Sequence, residues 1–253
     1  MIPNYGDKYD SKALFSPSEA IEEYGGDTEA DVPPVVILTF QSKLFETVVP
    51  EKTDDPIPIV RGQKVHPVND TVGVVGKFGI GAPVTATIAE NLIAAGAEVL
   101  CIVGGSAGLQ RSIEPTDVIL ADRAIRDEGA SYHYLPPETD ATPTEELVDH
   151  LEAAYADAGF DVHRGTTWTT SAFYRETTDE IAEYVADGVV SVEMEAASLF
   201  AVAEYRGVDS AAVFDVGDLI TEEEWDAGVE YENIQPEMFD QAVETLEVYF
   251  DGK

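Results

Sequence analysis

Three short segments carry residue types that could do chemistry. The first, Gly104-Gly105-Ser106-Ala107-Gly108, follows the apolar run AEVLCIV. A strand ending in glycines lets backbone N–H groups approach an anion closely, because no Cβ stands in the way. The C-terminal ends of strands are also where open α/β sheets hold ligands. A plain strand-to-loop turn is the competing reading. No Lys-Ser/Thr pair follows these glycines and their spacing is not that of a dinucleotide fingerprint, which argues against a triphosphate-binding loop and a Rossmann site.

The second segment is Glu193-Met194-Glu195-Ala196-Ala197, where a strand pattern gives way to a helix pattern. A carboxylate there can accept two hydrogen bonds from a vicinal diol, the group a ribose presents. Two solvated glutamates attracted to a helix N-terminus are the alternative. The third is Gly217-Asp218, after the apolar run AAVFDV. An aspartate at the end of a buried strand can be desolvated enough to hold a proton for general acid catalysis, or it can be an ordinary turn residue. Asp215 is its neighbour, and simple strand alternation puts the two on opposite faces. Among the histidines His133, in SYHY, is the best placed for acid–base work, with a structural hydrogen-bonding role as the alternative. Cys101 is the only cysteine, which excludes an internal disulfide and a multi-cysteine metal site. No His/Cys/Asp cluster has metal-ligand spacing, so no metal is expected.

Positioning these segments requires alternating strands and helices. VPPVVILTF, TVGVVGKFG and AEVLCIV read as buried strands. Between the last two, GAPVTATIAENLIAAG reads as a helix, with Pro83 tolerated in its first turn and Gly96 ending it. This strand–helix–strand order is a βαβ unit. DVILADRAIRDEG, VHRGTTWTTSAFY, VVSVEME and DSAAVFDVGD continue as strands. TEELVDHLEAAYADAG, capped by Thr144, TTDEIAEYVADG, AASLFAVAEYRG and the C-terminal PEMFDQAVETLEVYFDGK read as helices. Residues 51–70, with three prolines, are expected as loop plus an edge strand. Residues 1–31 are expected to form an acidic N-terminal arm with one short helix near 17–24, and residues 32–253 one domain. The fold class is α/β, a single domain with a central mixed β-sheet flanked by helices.

The chain has 253 residues, and its 14 basic against 50 acidic side chains give a formal net charge of −36. Nucleic acid is an improbable partner for such a surface. At 44% hydrophobic residues the chain has the core material that a disordered acidic protein lacks. Carboxylates are spread through every region rather than gathered in a tail, the pattern that solubility in molar salt favours. No stretch reaches the ~18 apolar residues of a membrane span. The start, MIPNYGDKYDSK, lacks the pattern of a secretory signal, so a cytoplasmic location is expected.

Taken together in order, GIGAPVTATIAENLIAAGAEVLCIVGGSAG, TSAFYRET, VVSVEMEAASLFAVA and VGDLI resemble the nucleoside phosphorylase/uridine phosphorylase superfamily, which also contains nucleosidases. The resemblance covers roughly residues 32–225. It implies phosphorolytic cleavage of a ribonucleoside to free base and ribose 1-phosphate, with inorganic phosphate as co-substrate and no other cofactor. A hydrolytic nucleosidase and a nucleoside-binding protein without turnover are the alternatives. By the same resemblance Phe173 stacks on the base; the family's uracil-reading Gln-x-Arg is not evident, since Arg175-Glu176 follow Phe173-Tyr174, and Arg175 is left as the candidate to address a base carbonyl. Met194 packs under the ribose, Glu195 binds its 2′ and 3′ hydroxyls, and Asp218 protonates the leaving base. The backbone of Gly104 and Gly105, with Ser106 and Arg61, is left to hold phosphate, Arg61 in a neighbouring subunit's site. A homo-oligomer, dimer or hexamer, is implied.

The chain departs from the family's pattern where phosphate binds. Ile102 stands where an arginine is usual on the strand before the glycine turn, and Gly105 where a Thr or Ser is usual. LTFQSKL, with Lys43, replaces a Gly-Asp-Pro-x-Arg segment. Arg123 and Arg126 are further candidates for an anion, or partners for Asp122, Asp127 and Glu128.

Overall fold

The computed structural model describes residues 8–28, 30–53, 55–221, 223–228 and 232–253. The buried run VVIL forms β1 (Val35–Leu38). It is flanked by β4 (Val72–Val75) and β5 (Val99–Gly108), both parallel to it. The proline-rich segment supplies two short antiparallel edge strands, β2 (Ile57–Pro58) and β3 (Lys64–Pro67). The second half adds β6 (Val118–Asp127), β7 (Val162–Thr170), β8 (Ser191–Glu193), β9 (Asp209–Ile220) and β10 (Trp225–Asp226). The strand order is β10-β9-β6-β7-β8-β5-β1-β4-β3-β2, and β5 also pairs with β9. That extra pairing closes β5, β9, β6, β7 and β8 into a ring. Parallel and antiparallel pairs both occur, so the sheet is mixed as expected.

Helices cover both faces. α1 (Pro17–Glu23), α3 (Ala82–Ala94) and α6 (Ala196–Arg206) pack Ile21, Leu92 and Phe200 with Leu100 and Ile102 of β5. α2 (Ser42–Lys52), α4 (Glu145–Asp157) and α7 (Gln235–Asp251) pack Leu44, Leu151 and Phe239 with Val99, Cys101 and Val103 on the other side. Successive residues of β5 thus face opposite layers, as the pleat dictates. Each such large apolar side chain contributes about 1.5–3 kcal/mol on burial. α5 (Thr178–Ala186) lies over a smaller cluster around Trp168 and Ile181.

Ser42–Lys52 is helical, with Leu44, Phe45 and Val48 on one buried face. Two expectations change. Residues 8–28, expected within a peripheral arm, are tied to the body. Ile21 is 1% exposed in the first layer, and Tyr9 donates to the Tyr132 carbonyl at 2.9 Å. Residues 1–7 and 29 of that arm lie outside the described residues. Thr144 stands at the N-cap of α4 but makes no side-chain cap; its hydroxyl donates to Asp209 Oδ1 at 3.1 Å.

The ladder between β5 and β9 contains one irregularity. Gly105 pairs with Asp215 and Ser106 with Val216, but Ala107 pairs with Asp218, leaving Gly217 as an extra residue. A bulge of this kind resets the alternation of side chains. Asp215 and Asp218 therefore share a face, and the opposite-face expectation is corrected.

Candidate functional site

A cleft of about 660 Å³ opens where β5 ends, β9 bulges and α6 begins. On one side lie Gly104, Gly105 and Ser106 with Gln41 and Gln235, the residues at the starts of α2 and α7. On another lie Phe173, Tyr174, Glu176, Asp218 and Trp225. Glu193, Met194 and Glu195 complete the wall, with Ile80 from the loop before α3. Phe173, Met194, Glu195, Asp218 and the glycine turn, scattered through more than a hundred residues of sequence, are thus brought together.

The two glutamates are not solvated helix-start charges. Glu193 is buried; its Oε2 accepts from the backbone N–H of Glu195 (2.6 Å) and Ala196 (2.7 Å), and its Oε1 from the Thr169 hydroxyl. Burial, with the charge of Glu195, pushes it up to about 8 against the pull of those donors. It holds the start of α6 rather than facing water, so Glu195 is presented at a fixed point. Glu195, 7% exposed, accepts from the Gly81 backbone N–H at 2.6 Å through Oε1, and burial pushes it up to about 7. The Phe78-Gly79-Ile80-Gly81 loop can deliver that N–H because Gly79 and Gly81 take φ of +97° and +96°, where a side chain would be strained. Ser198 of α6 fixes the same loop by donating to the Ala82 carbonyl at 2.8 Å.

Asp218 accepts from the Trp225 indole N–H through Oδ2 at 2.8 Å. Burial raises its pKa, while the Trp225 bond lowers it. Glu176 beside it is pushed up to about 7, first by burial and then by the charge of Asp218. Phe173 and Tyr174 follow β7 on a 3-10 turn and pack edge to face at 5.0 Å between ring centres. Tyr174 is 93% exposed, so this aromatic wall stands at the mouth of the cleft.

At the glycine turn, Ser106 Oγ is buried with no hydrogen-bond partner among the described residues. The place a Cβ would take at Gly105 lies 2.9 Å from Gln41 Nε2, 3.1 Å from Asp215 Oδ1 and 3.4 Å from Gln235 Nε2. Gln235 Nε2 also donates to Asp215 Oδ1 at 2.9 Å. Burial is the main cause that pushes Asp215 up to about 6.

Several sequence candidates are placed elsewhere. Arg175 lines a neighbouring depression with Asp127, Asp179 and Glu180, not the cleft. Arg61 sits on the turn between β2 and β3, its guanidinium 3.5 Å from the Tyr24 ring centre, in a separate hollow with Lys64 and Lys77. Arg126 is committed to structure: its guanidinium donates to Ser131 Oγ (2.9 Å) and to the carbonyls of Pro136 (2.6 Å), Thr139 (2.6 Å) and Leu135 (2.8 Å). Arg123 reaches Thr166 Oγ1 at 3.4 Å, and His133 Nδ1 lies 2.7 Å from Lys8 Nζ. Cys101 is buried, its thiol pushed up to about 12, too high for a nucleophile. Among the described residues, no Arg, Lys or His lines the cleft, and no group of three His, Cys, Asp or Glu could hold a metal ion. No helix is long and apolar enough to cross a membrane among those residues.

Gln41, Gln235, Asp215, Glu176 and Trp225 were not marked by any motif. The only sequence sign of Asp215 was its nearness to Asp218, and the bulge that makes it relevant has no sign beyond Gly217.

The family model described as Phosphorylase superfamily matches residues 18–248. A guanosine phosphorylase of Halorubrum lacusprofundi is 32% identical over 143 residues, 56% of this chain and 59% of that one. A uridine phosphorylase of Thermococcus kodakarensis is 32% identical over 151 residues, 53% of each chain. The chain thus spans little more than half the length of these curated relatives. Among solved structures, a uridine phosphorylase from Vibrio fischeri ES114 superposes with a TM-score of 0.72 at 23% identity, covering 85% of this chain and 92% of that one. An AMP nucleosidase from Bacteroides thetaiotaomicron VPI-5482 superposes with a TM-score of 0.73 at 23% identity, covering 94% and 100%. At such identities the superpositions speak for the fold.

Proposed function

The chain belongs to the phosphorylase superfamily, and on that premise we propose that it cleaves the N-glycosidic bond of a ribonucleoside. The observation that carries this reading is Glu195, buried in the cleft wall with Oε1 held by the Gly81 N–H, on the same cleft as Asp218 and Phe173. Glu195 would grip the 2′ and 3′ hydroxyls with its remaining acceptor capacity, a charge-assisted contact stronger than a neutral one. Met194 would pack under the sugar and Phe173 against the base. Asp218, its pKa raised by burial, would give a proton to the base as the bond breaks. The sugar becomes cationic in that step, so a proton on the leaving base and the nearby carboxylates both lower the barrier.

Two nucleophiles fit the chemistry. Phosphate, giving ribose 1-phosphate, is favoured by the names of the relatives, two of which are a guanosine and a uridine phosphorylase. Gly104, Gly105 and Ser106 would then hold the anion, and cations would have to come from a neighbouring copy, Arg61 being one. Water, giving free ribose, is favoured by the cleft itself. Its ionisable lining consists of Glu176, Glu193, Glu195 and Asp218, without a basic residue among the described ones. No side chain of that lining offers a dianion an opposite charge.

The test is to incubate purine and pyrimidine ribonucleosides with the protein in molar KCl, with and without phosphate, and to identify base and sugar products. Release of free base supports the reading. No release from any nucleoside contradicts it and leaves a binding protein.

A further inference from the structure

Glu195 stands at the N-cap of α6, yet its side chain does not cap the helix. The first N–H groups of a helix have no partner within it, and an N-cap side chain ordinarily spends its oxygen on the N–H of the second or third helical residue. In α6 that duty is carried from outside. The second helical residue is Ala197, and its N–H donates to Thr169 Oγ1 at 3.0 Å. Thr169 is fully buried on β7, opposite Glu193 in the ladder with β8. Its own hydroxyl proton goes to Glu193 Oε1, whose Oε2 takes the N–H groups of Glu195 (2.6 Å) and Ala196 (2.7 Å). The N–H of the third helical residue, Ser198, closes back on the Glu195 carbonyl at 3.1 Å. Each of the first three helical N–H groups is therefore occupied, and the Glu195 carboxylate is left to Gly81 and the cleft.

The next residue, Thr170, serves the other wall. It too is buried, and its Oγ1 accepts from the Ala172 N–H at 3.2 Å, at the start of the turn that carries Phe173. Successive side chains of a strand point to opposite sides, so the end of β7 fixes the start of α6 with one threonine and the aromatic wall with the next.

We propose that Thr169 is a positioning residue for sugar recognition: by taking the Ala197 N–H it releases the Glu195 carboxylate from capping α6 and leaves it to the ribose hydroxyls. The inference rests on the N-glycosidic reading above. Without the Thr169 hydroxyl, the Ala197 N–H is a buried donor that has lost its acceptor, which is costly. Glu195, at the N-cap, is placed by helix geometry to relieve it. A carboxylate turned to that N–H leaves the Gly81 contact and the sugar.

The experiment compares kcat/KM for base release from matched ribonucleosides and 2′-deoxyribonucleosides in molar KCl with phosphate present. The chains are the wild type, Thr169→Val, Thr169→Ser and Thr170→Val. Melting temperatures check that each folds, and Thr169→Ala removes the same hydroxyl should Thr169→Val not fold. The ribo to deoxyribo ratio reads the grip on the 2′ hydroxyl and is blind to a general loss of active protein. In Thr169→Val it should fall roughly fivefold, the size of one net hydrogen bond, mainly through the KM of the ribonucleoside. Thr169→Ser, which restores the hydroxyl, should bring the ratio within about twofold of the wild type. Thr170→Val should also leave the ratio within about twofold, whatever it does to activity. A ratio unmoved by loss of the Thr169 hydroxyl overturns the inference. So does an equal fall in Thr170→Val, which would make the strand end merely structural; in both cases N-glycosidic cleavage stands. A wild-type chain that releases no base from any ribonucleoside overturns that cleavage, and the inference with it.

Discussion

Asp215 and Asp218 present their carboxylates to one face of β9, because Gly217 is an extra residue in its ladder with β5 and the partners Gly105 and Ala107 are two positions apart. They are close enough for the charge of Asp218 to raise Asp215. Without the bulge, Asp218 would point into the layer of α3 and α6 and be lost from the cleft wall. A single glycine therefore decides whether Asp218 faces the site.

Glu195 should govern the choice of sugar. Glu195→Gln keeps the shape and the Gly81 contact but loses the charge, and kcat/KM for ribonucleosides should fall by roughly 2–3 kcal/mol, or about 10²-fold. The loss should be smaller for 2′-deoxyribonucleosides, which offer one hydroxyl fewer. Steady-state kinetics on matched ribo and deoxyribo pairs checks this, and an unchanged ratio between them would remove Glu195 from the sugar site.

Trp225 should tune Asp218. Its indole N–H stabilises the ionised carboxylate at 2.8 Å, so Trp225→Phe should raise the Asp218 pKa further and move the alkaline limb of the kcat profile to higher pH. Asp218→Asn should lower kcat for purine nucleosides and abolish that limb. A limb that shifts to lower pH in Trp225→Phe would assign the titration to another group.

The strands and most helices were legible because apolar runs and 3.6-residue spacing report burial directly, as in VVIL and TEELVDHLEAAYADAG. α2 was hidden by β-branched residues and a proline, since its Leu44, Phe45 and Val48 face matters only once β1 and α7 are there to cover it. The site was legible where a segment is chemically unusual, at EMEA and GGSAG. It was not legible for Gln41 and Gln235, which become neighbours of Asp215 only through helix starts brought in by the sheet. Arg175 sits two residues from Phe173, yet the 3-10 turn sends it to the other depression. Sequence adjacency is a poor guide there because a tight turn separates neighbouring side chains by about a third of a revolution.

Arg126 should be structural. Its four hydrogen bonds satisfy three carbonyls of the 135–139 loop, and Arg126→Lys cannot reach them all from one nitrogen. A stability loss of roughly 2–4 kcal/mol is expected by denaturant unfolding, with the sugar product and its dependence on phosphate unchanged. A stable Arg126→Lys chain with altered dependence on phosphate would return Arg126 to the list of anion ligands.

The buried carboxylates should also set how stability varies with pH. Glu193, Glu195 and Asp215 are pushed up to about 8, 7 and 6, above the ordinary carboxylate range near 4 of an unfolded chain. From about pH 4.5 to 8 the folded chain therefore binds more protons than the unfolded one, so stability falls as pH rises through that window. The melting temperature in molar KCl should be higher near pH 5 than near pH 8, and Glu195→Gln should flatten the slope. A melting temperature that rises over this range, or a slope unmoved by Glu195→Gln, would contradict these assignments.

Release of free base is the most direct measurement. A purine and a pyrimidine ribonucleoside incubated with the chain in molar KCl, with and without phosphate, should release free base, separated and quantified by chromatography. No release of base from any ribonucleoside under either condition would contradict the account.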